Sequence, residues 1–384
     1  MRDVVIVGIG LHKFGKWPDK TFEELVAPAV TDALKDANME FNQIESAFCG
    51  VVNSAIYDSR NVIQQFGWTG IMIHSIAQAS SSSAAAFRLA YWSIANGMYD
   101  NALVVGYEKM GKGFIPGTIN PGVTHLDVMG LDPIPARVAL DMRRRMEVYK
   151  EPLEAHVAYA VQASKNASMN PYAHFQTART AEEVMNSPVI ADPLRMYMCC
   201  PTSDGAGAAV ICTAEKARQM GVSSRAIKIA GWACGSPKVD DLTGGPGAFI
   251  GGDFKAGNLT ERLAKDLYAK AGVGPKDVDI ALVHDPFTVA PMVIIEGLGF
   301  CPRGEGGRWI LEGKTAINGE IPINTDGGLL CKGHPMGPTG VSQIAEVVKQ
   351  LRGEAGKRQV PNNPKIGLTL SSGAGMINAH VFSR

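Results

Sequence analysis

The run Gly327-Gly328-Leu329-Leu330-Cys331-Lys332-Gly333-His334-Pro335-Met336-Gly337-Pro338-Thr339-Gly340 holds one imidazole among glycines, directly ahead of the apolar stretch Val341–Leu351. Glycine lets a backbone turn sharply and approach a ligand closely. A histidine held in such a segment, at the mouth of a helix, is placed for proton transfer. A lone histidine is most often a satisfied structural residue, but the glycines around His334 favour a functional one. A second imidazole, His284, opens His284-Asp285-Pro286-Phe287 after the apolar run Ile280–Val283. If that run is a strand, His284 stands at its C-terminal end, the side on which α/β sheets hold ligands. From there it can donate a hydrogen bond to a carbonyl or an oxyanion; the alternative is a histidine tied down by Asp285.

Two further segments carry small polar groups. Ser371-Ser372-Gly373-Ala374-Gly375 follows another apolar run near the C-terminus. It predicts a small turn, either an ordinary one or one that presents backbone N–H groups to an oxyanion. Ala79-Ser80-Ser81-Ser82-Ser83-Ala84-Ala85-Ala86 has the composition of a flexible linker, but an apolar helix beginning Phe87-Arg88-Leu89-Ala90 follows at once. Ser80 is therefore expected at or near a helix N-cap, where serine is favoured for capping alone.

Strands and helices must bring these segments together, and an internal repeat shows how. The run Val4–Gly8 reads as a buried strand, Thr21–Ala37 as a helix and Ile44–Val52 as a strand. Ala33–Ala37 followed by Ile44–Cys49 resembles Leu267–Ala271 followed by Val278–Val283, with residues 37 and 271, and 47 and 281, both 234 apart. Val4–Gly8 is echoed by Ile227–Gly231. Each half then has a small-residue turn opening an apolar helix, at Ser80–Ser83 and at His334–Gly340. Each closes on a strand, Ala102–Gly106 and Lys365–Leu370. Strands alternating with helices indicate an α/β architecture. Two halves, 1–225 and 226–384, related by a pseudo-two-fold axis, would set two helix N-termini against one cleft. Their free N–H groups and partial positive charge suit anions and a nucleophile. Residues from about 107 to 200 interrupt the repeat and are rich in Gly, Pro, Met and Arg, as in Gly113–Gly117, Asp132–Pro135 and Met142–Met146. Such an insertion covers a site and selects substrate, or forms a dimer contact, or both.

Composition narrows the classes. The 384 residues are 46% hydrophobic, enough for large cores. Lys+Arg and Asp+Glu are 37 each, which leaves no electrostatic case for nucleic acid or an anionic membrane. The triplet Arg143-Arg144-Arg145 reads as a solvated helix face. No run approaches the roughly 18 apolar residues of a membrane helix, and Val4–Val7 is too short for a signal peptide core; a soluble cytoplasmic protein is the expectation. Seven cysteines, Cys49, Cys199, Cys200, Cys212, Cys234, Cys301 and Cys331, lack disulfide or zinc spacing and are expected as reduced, mostly buried thiols. Gly8-Ile9-Gly10 lacks the third glycine of a dinucleotide fingerprint, since Lys13 stands there.

Together these motifs, with Arg88-Leu89-Ala90-Tyr91, Val104–Met110, Asn170-Pro171-Tyr172-Ala173, Cys200–Ala208 and Leu351–Gly356 in the same order, resemble the thiolase superfamily, in its sterol-carrier/lipid-transfer branch. The resemblance covers nearly the whole chain. It implies a five-layer αβαβα fold of two similar halves, a dimer, and a CoA-thioester acyltransferase with coenzyme A as substrate and no metal. In that family a cysteine at the helix mouth takes the acyl group, and that position falls on Ser80. The activating histidine falls on His334, an oxyanion-holding histidine on His284, and the Cys-x-Gly turn on Ser371-Ser372-Gly373. The N–H groups of Ser80 and Gly373 would form a second oxyanion hole, while Cys331 occupies a position that is no nucleophile in the family.

Both cysteine positions are serine here. A hydroxyl is a far weaker acid than a thiol and needs a true general base, so reversible thiolysis through Ser80 is expected to be poor. A single cysteine-to-serine variant at position 80 would leave the surrounding motif intact in this way. The resemblance implies thiolytic cleavage or Claisen condensation of a 3-oxoacyl-CoA, with aromatic ones such as benzoylsuccinyl-CoA among the candidates. The alternatives are a thiolase-like acyl-CoA retro-aldolase and a non-catalytic subunit of the same fold. Members of the branch pair with a small zinc-ribbon/OB-fold protein, which makes such a partner an expectation too.

Overall fold

Strand β1 (Val4–Leu11) is buried along its length, as an unbroken apolar and glycine sequence requires of a strand covered on both faces. Its side chains alternate between two cores: Val4 and Ile6 face one, Val5 and Val7 the other. Helix α1 (Phe22–Ala37) starts with a capping box in which the Thr21 hydroxyl accepts the Glu24 N–H and the Glu24 carboxylate accepts the Thr21 N–H. Its buried face, including Leu25, Val26, Ala29 and Ala33, packs on β1. Contact is close because Gly8 has no side chain: a Cβ there would lie 2.8 Å from the Ala37 Cβ.

The computed structural model describes residues 1–53, 58–111, 133–238 and 259–384; Gly113–Gly117 and Asp132 of the inserted region lie outside them. The remaining strands are β2 (Ser46–Gly50), β3 (Met72–Ile76), β4 (Asn101–Glu108), β5 (Val189–Ala191), β6 (Leu194–Arg195), β7 (Gly205–Thr213), β8 (Ile227–Gly235), β9 (Ile280–Leu282), β10 (Ile366–Gly373) and β11 (Met376–Ser383). β5 and β6 form a small hairpin, and the other nine make one mixed sheet in the order β3-β2-β4-β7-β1-β8-β11-β10-β9.

Read outward from its centre, each arm of this sheet repeats one pattern. β1 and β7 are antiparallel, β7 and β4 antiparallel, then β4, β2 and β3 parallel. β8 and β11 are antiparallel, β11 and β10 antiparallel, β10 and β9 parallel, and Ile323 adds a parallel bridge to Ala281 where the first arm has β3. The glycine contact recurs as well: a Cβ on Gly231 of β8 would lie 2.8 Å from the Ala271 Cβ. The repeat read from sequence is thus a repeat of topology. The arms are continuous through a short β1–β8 pairing at Val5–Lys228 and Ile6–Ile227.

Helices α2 (Ser82–Ala95) and α7 (Thr339–Arg352) fill the space between the arms. Phe87, Ile94, Val341 and Ile344 share one core with Val4, Ile6, Ile280 and Leu282. α1 covers the outside of one arm. Between two helices of the inserted region, α3 (Ile134–Val148) and α4 (Leu153–Ser168), and α5 (Leu259–Ala271) and α6 (Val289–Gly297), a third core covers the other arm. The layers run α, β, α, β, α, as expected.

One expectation fails. Arg143 and Arg144 are exposed, but Arg145 is fully buried. Its guanidinium meets Glu151 at 2.7 Å and Glu296 of α6 at 2.5 Å. The helical turn carries position 145 inward, and only paired carboxylates make that burial tolerable. Among the described residues, no helix is long and apolar enough to cross a membrane. All seven cysteines are free; Cys199, Cys200 and Cys234 are only partly buried.

Candidate active site

Four consecutive serines lead into the first turn of α2, and three of them hold the backbone. The Ser81 hydroxyl donates to Gln78 O at 3.1 Å. The Ser82 hydroxyl donates to Ala79 O at 2.7 Å and accepts the Gln78 N–H at 2.8 Å. The Ser83 oxygen accepts the Val341 N–H of α7 at 3.0 Å. Ser80 alone of the four turns to an imidazole: its Oγ lies 2.8 Å from His334 Nε2. Ala79, just before it, sits in the left-handed region at φ 43°, a costly conformation for a non-glycine residue and one that recurs at functional turns. The N-cap of α2 is Ser81, so Ser80 precedes the cap by one residue.

His334 stands five positions before α7 and is 4% exposed. Its backbone N–H donates to Ser203 Oγ at 3.3 Å, and its Nδ1 lies 3.2 Å from Cys200 Sγ. Burial, and secondarily the charge of Lys332, push its pKa down to about 3. Burial also drives the Cys200 thiol well above its usual range. Both groups are therefore neutral. With the ring proton on Nδ1, facing the Cys200 sulfur, Nε2 is free to accept the Ser80 proton.

His284 follows β9 and is 6% exposed. Its ring is edge-on to that of His334, with centroids 5.4 Å apart. It too is held neutral, by burial and then by His334. Asp285 does not tie it down. That carboxyl accepts the Tyr159 hydroxyl and the Leu329 N–H, both at 2.7 Å, and burial raises its pKa to about 7. Asn324 closes the network by donating to Tyr159 Oη at 2.8 Å and accepting the Val283 N–H at 2.7 Å. The carboxyl thus braces the backbone at Leu329, while His284 Nδ1 is buried with no hydrogen-bond partner among the described residues.

The segment Ser371–Gly373 is strand rather than turn. It pairs with β11 at Asn378, Ile377 and Met376, and the turn itself is Ala374-Gly375, both at positive φ. The Ser371 hydroxyl donates to Gln343 Oε1 of α7. Gly373 presses against the serine tract: a Cβ there would lie 2.3 Å from Gln78 O and 2.7 Å from Ser80 N. Ser80, His284, His334 and Gly373 therefore meet at one place, while the Ser371 hydroxyl is engaged by Gln343. Cys331 is buried against Arg179 at 3.6 Å, and burial lifts its pKa to about 12, which fits no nucleophile.

Gln343, Tyr159 and Asn324 are neighbours that sequence alone did not single out, and Cys200 entered there only as part of a longer motif. A cavity of about 540 Å³ lined by Arg2, Asp100 and Lys216 lies at the start of β4, whereas the site lies at its end, where Gly106 packs on Pro338. Among the described residues, no group of three His, Cys, Asp or Glu side chains could hold a metal.

The helices α2 and α7 touch at Gly340, where a Cβ would lie 2.5 Å from the Ala84 N. Gly340→Ala is expected to destabilise the fold by about 1–3 kcal/mol through overpacking. It will also lengthen the Ser80–His334 contact, so that kcat falls further than the shift in Tm accounts for. A variant with unchanged melting and turnover would show that this contact does not set the site.

Residues 4–215 match the family model described as the thiolase N-terminal domain, and residues 256–383 one described as thiolase C-terminal domain-like. An acetyl-CoA acetyltransferase of Methanothermobacter thermautotrophicus is 34% identical across 100% of both chains. Sterol carrier protein 2 of Oryctolagus cuniculus is 34% identical over 97% of this chain and 70% of its own length. The benzoylsuccinyl-CoA thiolase subunit BbsB of Thauera aromatica is 32% identical over 97% of this chain and 95% of that protein. A solved structure described as an Ltp2-ChsH2(DUF35) aldolase superposes with a TM-score of 0.83 at 25% identity, covering 99% of this chain and 97% of that one. Human mitochondrial 3-ketoacyl-CoA thiolase shares the fold, with a TM-score of 0.74 at 18% identity over 100% and 98% of the two chains.

Proposed function

The chain belongs to the thiolase family and is an acyltransferase of CoA thioesters, and from that premise we propose that it cleaves or condenses 3-oxoacyl-CoA substrates through an acyl group carried on Ser80. The observation that carries this is the 2.8 Å contact between Ser80 Oγ and a neutral His334 Nε2. In the cleavage direction His334 takes the hydroxyl proton as Oγ attacks the 3-oxo carbon. The N–H groups of Ser80 and Gly373 face the oxyanion that develops there. His284 donates to the thioester oxygen as the enolate forms. Ser371 takes the place of the second family cysteine; with its hydroxyl engaged by Gln343, His284 and His334 remain as proton donors to carbon, and His334 already holds the proton taken from Ser80.

Residues 1–225 and 226–384 are taken as the two halves, a division supported by the matched spans 4–215 and 256–383. An aromatic substrate such as benzoylsuccinyl-CoA is supported by the likeness to BbsB. A homodimer through the outer edge of β3 is supported by the exposure of Trp68 and Met72, at 83% and 58%. A small zinc-ribbon/OB-fold partner is proposed on the strength of relatives described as a subunit and as a two-protein aldolase.

Intact-mass spectrometry after incubation with 3-oxoacyl-CoAs tests the main proposal. An acyl adduct on the wild type, absent from Ser80→Ala, supports it. The absence of both adduct and CoA-dependent cleavage, in the wild type and in Ser80→Cys alike, would overturn it. A retro-aldol cleavage comes second, favoured by the aldolase likeness. It needs only a base and an oxyanion hole, so aldehyde or ketone release from a 3-hydroxyacyl-CoA would survive in Ser80→Ala.

A further inference from the structure

We infer that Ser80 passes its acyl group to water rather than to a thiol, so that this chain cleaves 3-oxoacyl-CoA thioesters hydrolytically, giving a free carboxylic acid and a shortened acyl-CoA. The inference rests on the acyl-carrying role proposed for Ser80 and adds the identity of the second acceptor. An acyl group on Ser80 is an oxygen ester. Sulfur shares its lone pairs with a carbonyl less well than oxygen does, so moving that group onto a CoA thiol runs uphill, while moving it to water runs downhill.

The geometry supplies what hydrolysis needs. The nitrogen that accepts the Ser80 proton, His334 Nε2, lies 2.8 Å from the ester oxygen's position. It is neutral, so it is ready to take a proton from a second nucleophile. Beside it, His284 carries a buried Nδ1 without a partner among the described residues, on a ring 5.4 Å from that of His334. An orphaned buried polar nitrogen is the kind of group that proteins satisfy with an ordered water. A water held by His284 would lie in the same neighbourhood as the ester. Cys200, the group at His334 Nδ1, is a neutral thiol and gives a developing imidazolium little support, so turnover is expected to be slow.

The atoms balance. In the first half, Ser80 Oγ bonds to C3 of the substrate and its proton moves to His334 Nε2. The C2–C3 bond breaks, leaving its electron pair on C2 as the thioester enolate. His334 returns the proton to C2, and the shortened acyl-CoA departs. In the second half, a water oxygen bonds to the acyl carbon and one of its protons moves to His334 Nε2. The bond from carbon to Oγ breaks, and Oγ takes that proton. One water is consumed, and no oxidant, reductant or free CoA enters.

The test incubates the full chain with acetoacetyl-CoA and with a 3-aryl-3-oxopropanoyl-CoA in H2(18)O without free CoA. The expected result is repeated turnover to acetyl-CoA and an acid carrying one (18)O, with no acceleration when CoA is added. Ser80→Ala should lower that rate by about 100-fold or more, as removal of a serine nucleophile does. Ser80→Cys, a one-atom change, should shift the product toward CoA-dependent acyl-CoA. Acyl-Ser80 that forms once and is not released to water, or turnover that requires CoA, would overturn the hydrolytic step and leave acyl transfer standing. Unchanged (18)O incorporation in Ser80→Ala would remove Ser80 from hydrolysis. Neither adduct nor cleavage would overturn both.

Discussion

His334→Ala lowers turnover of 3-oxoacyl-CoA by about 10²–10⁴-fold, the range in which a positioned general base contributes. The loss is catalytic rather than structural, because the contact that fixes the segment, the residue's own N–H to Ser203, belongs to the backbone and survives. Circular dichroism and Tm close to wild type, with kcat reduced and KM little changed, are the expected measurements. The pH profile of the wild type checks the same assignment. With His334 held near 3 by burial and Lys332, its base form is present throughout the neutral range. Titration of His334 itself therefore lowers the rate only as the pH approaches 3, while a limb near 7 belongs to the buried Asp285 carboxyl, which burial raises to about 7. A limb centred near 6.5 that persists in Asp285→Asn would mean a solvated imidazole and would contradict the buried geometry.

Arg145→Ala is the change with the largest expected effect on stability, about 3–5 kcal/mol, because it leaves buried carboxylates without their cation. Arg145, Glu151 and Glu296 are each no more than 4% exposed at the side chain, and His156 Nε2 lies 3.2 Å from Glu151. Burial alone would raise the Glu151 pKa; the adjacent His156 imidazole, and the hydrogen bonds and charge of Arg145, overcome it and hold the carboxyl at about 2. A carboxyl depressed on folding adds stability above its unfolded pKa, near 4.3, that is lost as the pH falls toward 2. The difference between wild type and variant is therefore greatest at neutral pH and shrinks between about pH 4.5 and 2. Urea unfolding at pH 7 and pH 3 measures it; an equal difference at both would show that Glu151 is not the linked group. The cluster also ties α3 of the inserted region to α6, the helix that follows His284, so the variant is expected to lose activity as well.

The parts of the site that sequence revealed are those whose chemistry is local. The shared offset of 234 from residue 37 to 271 and from 47 to 281 exposes the repeat, and the structure adds that Ala37 and Ala271 press on Gly8 and Gly231. His334 stands out among glycines, and Ser80 stands out because an apolar helix follows a serine tract. The parts that stayed hidden are long-range. Cys200 meets His334 across 134 positions and Arg145 meets Glu296 across 151. Nothing near either residue in sequence marks the partner. Arg145 was obscured by its exposed neighbours, since three successive arginines look like one solvated face until the helix phase is known. The end of β10 was misplaced because the turn uses Ala374 at φ 51°. Alanine seldom adopts that conformation, so the hairpin seemed to begin at the serines.

The repeated arms carry unequal chemistry. The hydroxyl sits in the first copy, and both imidazoles and Gly373 sit in the second. Once-equivalent copies have become interdependent specialists: neither retains a whole reaction centre, and each is silent until the other has folded against it. The reactivity proposed for Ser80 thereby waits on synthesis through Gly373. A nascent first half would display an ordinary, unactivated serine until the second copy is made and folds against it.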